Sequence, residues 1–278
     1  MSTFRSRIHT IALFAAYLAG QSAEAADLNE IVRRAAEALK ADWAADPSYA
    51  CLERDETQKH GKLTSKTFEV VMIDGSEYHL PVANDDQPLT PDRRKAELLR
   101  LKQEIERRGN ESQTARRARV EAWKKQRDEN GEILLDFPSA LDFQLIGEEL
   151  KNGRLAYALS AAPKPGIVPA TRAAKVLTGI RGKAWVEKEN LHPIAVECTV
   201  IRPVPVYGPL ASVLPGTDIE ITMENVGEAT WLIDLVSMKL NVSKLHLVNS
   251  STVTRSTYTR YRPNADELRD LLAEADRQ

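Results

Sequence analysis

A β-hairpin pattern occupies the middle of the chain, at Ile180–Arg202. Ala184-Trp185-Val186 forms its first arm, and a polar turn follows around Glu187–Asn190. The second arm is apolar at every other position, which is the side-chain period of a β-strand; these positions are Ile194, Val196, Cys198 and Val200. An isolated hairpin is marginally stable at best in water, so this one requires neighbouring strands.

Alternating segments before and after this hairpin supply the neighbours. Asp74-Gly75 and Asn152-Gly153 are strong hairpin turns, each flanked by positions of alternating polarity. Further strand candidates extend from residue 210 to residue 261. Short connections between about ten strands predict an antiparallel meander, and a long meander with one apolar face curls.

Helical periodicity occurs at both ends and in one interruption of the strands. Asp27–Ala45 and Ala265–Ala275 are amphipathic, and Thr90-Pro91 begins a helical insertion that continues to about residue 130. The sequence therefore predicts an α+β, β-rich fold: an antiparallel open half-barrel covered by terminal helices, with a helical insertion. We expect a single domain over residues 26–278.

The N-terminus has the features of a signal peptide. Arg5 and Arg7 precede the short apolar run Ile11–Leu18, and Ala23-Glu24-Ala25 supplies the small residues of a cleavage site. We expect cleavage after Ala25 and a periplasmic or secreted protein; an uncleaved anchor is the alternative, although the run is short for a bilayer. No later run is apolar enough to span a membrane.

The charge is unevenly distributed. The whole chain has a formal net charge of −2, which gives no general attraction to nucleic acid. Between Pro91 and Asn130, however, 13 Lys or Arg stand against 8 Asp or Glu. This basic segment could meet an anionic headgroup or an acidic partner, or it could be a solvated helical pair with mixed charges.

The chain has two cysteines, Cys51 and Cys198. An exported protein enters an oxidising compartment, so a disulfide between them is possible. The alternative is two separate buried thiols, because free cysteine packs as a small hydrophobic residue.

Several of these features together resemble a known group. The signal peptide, the first helix leading into Tyr49–Glu53, the segment Gly182–Val186 and the closing strands with Thr230-Trp231-Leu232 are similar to exported proteins with the fold of the periplasmic outer-membrane lipoprotein carriers. The resemblance implies an incomplete antiparallel barrel that wraps around helices and encloses an apolar cavity for acyl chains. The basic insertion departs from that group.

Eleven apolar residues are candidates for the lining of such a cavity. Most lie on single-faced strands, and Trp185 is either a core residue or a ligand contact. The set is Phe68, Val70, Met72, Leu155, Tyr157, Trp185, Val196, Val200, Val236, Met238 and Leu240.

No residue pattern indicates catalysis, a metal site or a cofactor. The chain lacks Gly-x-Ser-x-Gly, a glycine-rich phosphate loop and an H-x-x-x-H pair. Three functions stay open: a carrier for a lipid or an acylated protein, a non-catalytic interaction or sensing scaffold of the cell envelope with a filled core, and, ranked last, an enzyme. A carrier must leave apolar surface unfilled, whereas a scaffold packs it to ordinary density.

Overall fold

The computed structural model describes residues 28–168, 174–206, 210–227, 229–244 and 248–277. The predicted signal peptide lies outside these residues. Helix α1 covers residues 28–45, and the others are α2 Pro91–Gly109, α3 Gln113–Ala140 and α4 Asn264–Arg277. The strands are β1 Tyr49–Lys59, β2 Lys62–Ile73, β3 Ser76–Asn84, β4 Gln87–Pro88, β5 Leu141–Lys151, β6 Arg154–Pro163, β7 Ile180–Glu187, β8 Pro193–Val200, β9 Val204–Pro205, β10 Ala211–Val213, β11 Asp218–Asn225, β12 Trp231–Lys244 and β13 Val248–Pro263.

These strands form one antiparallel sheet that does not close. Its main order is β4-β3-β2-β1-β13-β12-β11-β8-β7-β6-β5, and β9 and β10 extend it beside β12. The predicted open antiparallel half-barrel is confirmed, with thirteen strands in the described residues where about ten were expected. Its two strongest turn predictions are also confirmed: Asp74 and Gly75 have φ of 47° and 89°, and Asn152 and Gly153 have φ of 52° and 76°, as a two-residue hairpin turn requires.

The sheet has two differently covered faces. Strand pairing places Val70 opposite Cys51 and Ser256 opposite Val236. Because side chains alternate along each strand, these positions share one face with Leu159 and Val186, against which Ile31 of α1 packs. We call this the inner face and the opposite one the outer face.

The C-terminal helix lies on the outer face, so the two terminal helices cover opposite faces of the sheet. Leu271 of α4 and Leu98 of α2 pack against Val71 and Leu80 of the first strands. Val71 alternates with Val70, so its side chain points to the outer face. The first three strands therefore have apolar side chains on both faces. Helices α2 and α4 pack against their outer face.

The helical insertion docks on the turn between β2 and β3 through Arg108. This side chain is 7% exposed and donates to the carbonyl oxygens of Ile73 and Ser76, both at 2.8 Å, while its Nε donates to Glu104 at 2.6 Å. Since the strand carbonyls at a hairpin end need donors, one buried guanidinium joins α2 to the sheet.

Helix α3 is longer than the sequence pattern indicated. The predicted helical insertion ended at about residue 130, but α3 continues to Ala140 and includes Pro138. Its length lets it contact both β3 and β5, which lie near opposite edges of the open sheet. No described helix combines the length and apolar character needed to cross a membrane.

Candidate functional site

The inner face carries ten of the eleven predicted lining residues. Cross-strand pairs connect them: Met238 lies opposite Ile219, Ile219 opposite Cys198, and Val196 opposite Ala184. The ten are Phe68, Val70, Met72, Leu155, Tyr157, Val196, Val200, Val236, Met238 and Leu240. The period-two pattern thus identified a shared face, although a shared face is not yet a cavity.

Trp185 is the exception. Its neighbours Ala184 and Val186 pack in the cluster that contains α1, so alternation turns the Trp185 ring to the outer face. There it is 3% exposed, its Nε1 donates to Glu149, and Lys151 Nζ lies 4.2 Å from the ring centroid. Of the two interpretations open from the sequence, these contacts support a core residue.

Helices already cover part of the inner face. Val196 and Val200 are 8% and 1% exposed and belong to the cluster that contains Leu39 of α1 and Phe137 of α3. Met238 and Leu240 pack against that cluster, and Tyr157 packs against the cluster of α1. Leu155, at the rim, is 47% exposed.

A second part of the inner face is open. Phe68, Val70 and Met72 on β2 and Val236 on β12 are half-buried, and none of the three apolar clusters of described residues contains them. We call these four residues the open strip. Among the described residues, it is a part of the predicted lining that lies outside the packed clusters.

Polar side chains of β1 and β13 divide the open strip. Glu53 faces Tyr258 and Asp55 faces Ser256 across the strand pair, and Ser256 Oγ donates to Asp55. Burial raises the pKa of Asp55 and of Tyr258 above their usual values. We call these four residues the inner trough.

His79 gives the trough a fixed positive charge at its edge. Its Nδ1 lies 3.1 Å from Glu53 Oε2 and its Nε2 lies 3.3 Å from Glu77 Oε2. Hydrogen bonds to Glu53 and then to Glu77 raise the pKa of His79 to about 10. This imidazole is therefore protonated at neutral pH.

Sequence reasoning missed the trough because it considered only apolar residues as lining. Cys51, Glu53 and Asp55 alternate along β1, so the period that identified the lining could also have identified these carboxylates. The other missed feature is the anchor of α1: the buried Asp42 accepts from the backbone N–H of Trp231 at 3.0 Å and pairs with His192 at 2.9 Å. No local pattern links three residues so distant in sequence.

Both cysteines are free thiols. Cys51 lies on β1 and Cys198 on β8, with β13, β12 and β11 between them in the sheet. The structure therefore has the separate thiols, not the disulfide that the sequence left possible. Burial raises the pKa of both, to about 12 for Cys198.

Most cations of the basic segment are already paired within the chain. Arg94 bridges Glu69 and Glu274, and Arg127 reaches Asp46 at 3.1 Å. Further pairs within the segment or to the body involve Arg100, Lys102, Arg107, Arg108, Arg116, Arg119 and Lys125. The arrangement favours the solvated helical pair over a surface for an anionic partner.

Metal ligands do not cluster in the part of the chain that the structure describes: no group of three or more His, Cys, Asp or Glu side chains is placed to hold an ion. The carboxylates of the inner trough are instead held by His79, Ser256 and their strand neighbours.

Comparison with known proteins finds similar solved structures, whereas neither a protein-family model nor a curated protein matches the chain. A DUF1329 family protein from Desulfovibrio piger matches at 12% identity and a TM-score of 0.36, over 84% of this chain and 92% of that one. A LolA superfamily protein from Nitrosomonas europaea matches at 12% identity and a TM-score of 0.32, over 84% of this chain and 91% of that one.

A domain from Vibrio parahaemolyticus, named for outer-membrane lipoprotein sorting, matches at 11% identity and a TM-score of 0.35, over 83% of this chain and 92% of that one. These matches include the superfamily that the sequence elements resemble. Likeness at this level carries no argument about a ligand or a partner.

Proposed function

We propose that the chain is an exported cell-envelope protein whose inner face holds the acyl part of a lipid or of a lipid-modified ligand. The observation that supports this proposal is the open strip, where apolar side chains of β2 and β12 lie on the inner face outside the packed clusters. Apolar surface inside an open half-barrel is the feature that a carrier needs and a filled core lacks. The proposal assigns no catalytic step to the chain.

The inner trough narrows the kind of headgroup that fits. Glu53 is paired with His79, and the Asp55 carboxylate, held by Ser256, lies in the middle of the open strip, where a like charge placed beside it is unfavourable. A neutral or amine-bearing headgroup therefore suits this face better than an anionic one. With most cations of the basic segment already paired, that segment offers little compensation for an anion.

Binding of acyl chains of increasing length is the direct test. Each buried CH₂ contributes about 0.8 kcal/mol before ordering costs, so affinity should climb with length until the face is full. We expect alkyl alcohols and alkylamines to bind better than fatty acids of equal length, because of the trough. Affinity that ignores chain length would rule out the carrier.

One substitution and one control make the test specific. Val236→Asp places a charge in the open strip and should abolish binding, because an unpaired charge there must be desolvated. Leu99→Asp places the same charge on α2, where the side chain is 56% exposed, and should leave binding unchanged. Circular dichroism and thermal melting confirm that both variants fold.

The second candidate function is the envelope scaffold with a filled core. The burial of Val196 and Val200 beneath α1 and α3 favours it, since that half of the inner face is packed. Native mass spectrometry of protein purified from the periplasm separates the two: a co-purified lipid supports the carrier, and a ligand-free protein that also fails the acyl titration supports the scaffold. The same material should begin at Ala26 or Asp27, and an intact Met1 would refute export with cleavage.

A further inference from the structure

A cavity of about 480 Å³ lies where the β5–β6 turn meets the end of the β11–β12 hairpin. None of the proposed acyl-lining residues contributes to it. Its size suits a small molecule, and its walls carry both signs of charge. Arg154 lies on one side, and Glu220, Glu224 and Asp234 lie on the strands opposite.

The cationic wall is built on Trp231. The guanidinium carbon of Arg154 is 4.7 Å from the centroid of the Trp231 ring, and among the described residues it has neither an ion pair nor a hydrogen bond. Trp231 itself is 2% exposed, and its indole Nε1 is buried without an acceptor in the described chain. This wall therefore offers a charged donor group that has no anionic partner among the described residues.

The acidic wall likewise has no paired cation within the part of the chain that the structure describes. Asp234 accepts a hydrogen bond from Thr222 at 2.6 Å, whereas the described residues supply no ion pair to Glu220 or Glu224. Burial, and then the charge of Asp234, raises the pKa of Glu224. Because Arg154 is held over Trp231, it does not neutralise these carboxylates.

We propose that this cavity binds a small amphoteric molecule that carries an ammonium group and an anionic group. The anionic group, a carboxylate or a phosphate, pairs with the Arg154 guanidinium, and the ammonium group lies between Glu220, Glu224 and Asp234. A ligand with only one sign of charge satisfies only one wall. Charge-assisted hydrogen bonds on both sides give the site its selectivity.

Four probes test the proposal by isothermal titration calorimetry. L-Lysine and phosphoethanolamine carry both charges, with a carboxylate and a phosphate respectively, while putrescine and succinate carry one sign each. We expect at least one of the first two to bind more tightly than both of the others. Preference for L-lysine indicates an amino acid or a peptide end as the source, and preference for phosphoethanolamine indicates a lipid headgroup.

Two variants locate the binding. Arg154→Gln and Glu224→Gln each remove one charge from an exposed side chain, and each should weaken binding of the amphoteric probe by about tenfold or more. Arg117→Gln, an exposed cation of α3 outside the cavity lining, should change nothing.

The proposal is overturned if neither amphoteric probe binds, if putrescine or succinate binds as tightly, or if Arg154→Gln leaves the affinity unchanged. Thermal melting of each variant shows that the fold is retained. Since none of the lining residues belongs to the open strip, failure here leaves the acyl-binding proposal intact, and failure of the acyl titration leaves this one intact.

Discussion

At the scale of single residues, His79 links the stability of the fold to pH. Its pKa is raised from about 6.5 to about 10 by Glu53 and Glu77, so its contribution is fully present below pH 6.5 and is lost as pH rises through 10. We expect His79→Gln to cost stability at pH 6 and to cost progressively less as pH rises from 6.5 to 10. Urea denaturation of both proteins across this range measures the difference.

The side chain of His79 is 42% exposed, so solvent screening keeps this effect modest. His60, an exposed histidine in the β1–β2 turn, is the matched control. His60→Gln should produce no such pH-dependent difference. An NMR titration in which the His79 imidazole deprotonates near pH 6.5 would contradict the assignment.

The two thiols provide a second residue-scale prediction. Burial raises the pKa of Cys51 and of Cys198, and only the thiolate reacts readily. We expect the folded, unreduced protein to react slowly with a thiol reagent at pH 7.5. After denaturation without reduction, the reagent should detect two reactive thiols per chain. Zero equivalents after denaturation would mean that a disulfide forms after all.

Gly182 shows how a single residue fixes a strand pair. A Cβ at this position would lie 2.6 Å from Cys198 Sγ and would meet the backbone of Glu197. The close approach of β7 and β8 therefore needs glycine here. The sequence marked this glycine as part of a resemblance, but only the structure shows the contact that requires it.

At the scale of elements, Arg108 is the residue on which docking of the helical insertion depends. Arg108→Ala leaves buried carbonyl oxygens of Ile73 and Ser76 without their donor. Each such group costs about 1–3 kcal/mol, so we expect the two together to lower the free energy of unfolding by roughly 2–6 kcal/mol. Chemical denaturation provides the measurement.

Arg107 is an adjacent control. It has the same charge and sits on the same helix, but its side chain is 54% exposed, and without it Glu104 and Glu111 keep their ion pairs to Arg108 and Arg119. Arg107→Ala should cost less than about 1 kcal/mol. Equal losses from the two variants would show that charge, and not the buried contacts, is what matters.

The elements themselves were largely readable from the sequence, because turn chemistry and side-chain period are local. Asp74-Gly75, Asn152-Gly153 and Thr90-Pro91 each marked an element boundary correctly. The sequence pattern did not predict that α3 extends through Pro138. Near a helix end a proline removes a single hydrogen bond, and the contacts of Phe137 with the core compensate for it.

At the scale of the whole molecule, contacts between residues far apart in the sequence determine which candidate residues are covered by a helix. Local sequence patterns do not contain this information. The ten lining candidates share a face because period two is a property of each strand. Which of them lie under a helix depends on how α1 and α3 cross the sheet. That in turn depends on groups far apart in the sequence, such as the Asp42 carboxylate and the backbone N–H of Trp231, which are 189 positions apart. The candidate cavity at Arg154 escaped sequence reasoning for the same reason.

We expect a single domain, and two separate apolar clusters on opposite faces of the sheet provide the sites for a test. Ile73, in the cluster on the outer face, and Ile31, in the α1 cluster on the inner face, are 3% and 6% exposed. Ile73→Val and Ile31→Val each remove one buried methylene and should each cost about 0.5–1.5 kcal/mol. Because one continuous sheet joins the two sites, each substitution should lower the midpoint of one shared unfolding transition. In the double variant the two losses in the free energy of unfolding should add, since the two side chains share no cluster. Urea denaturation followed by tryptophan fluorescence and by circular dichroism measures this. Two separate transitions, each sensitive to only one substitution, would mean that the strands packed against α2 and α4 form a domain of their own.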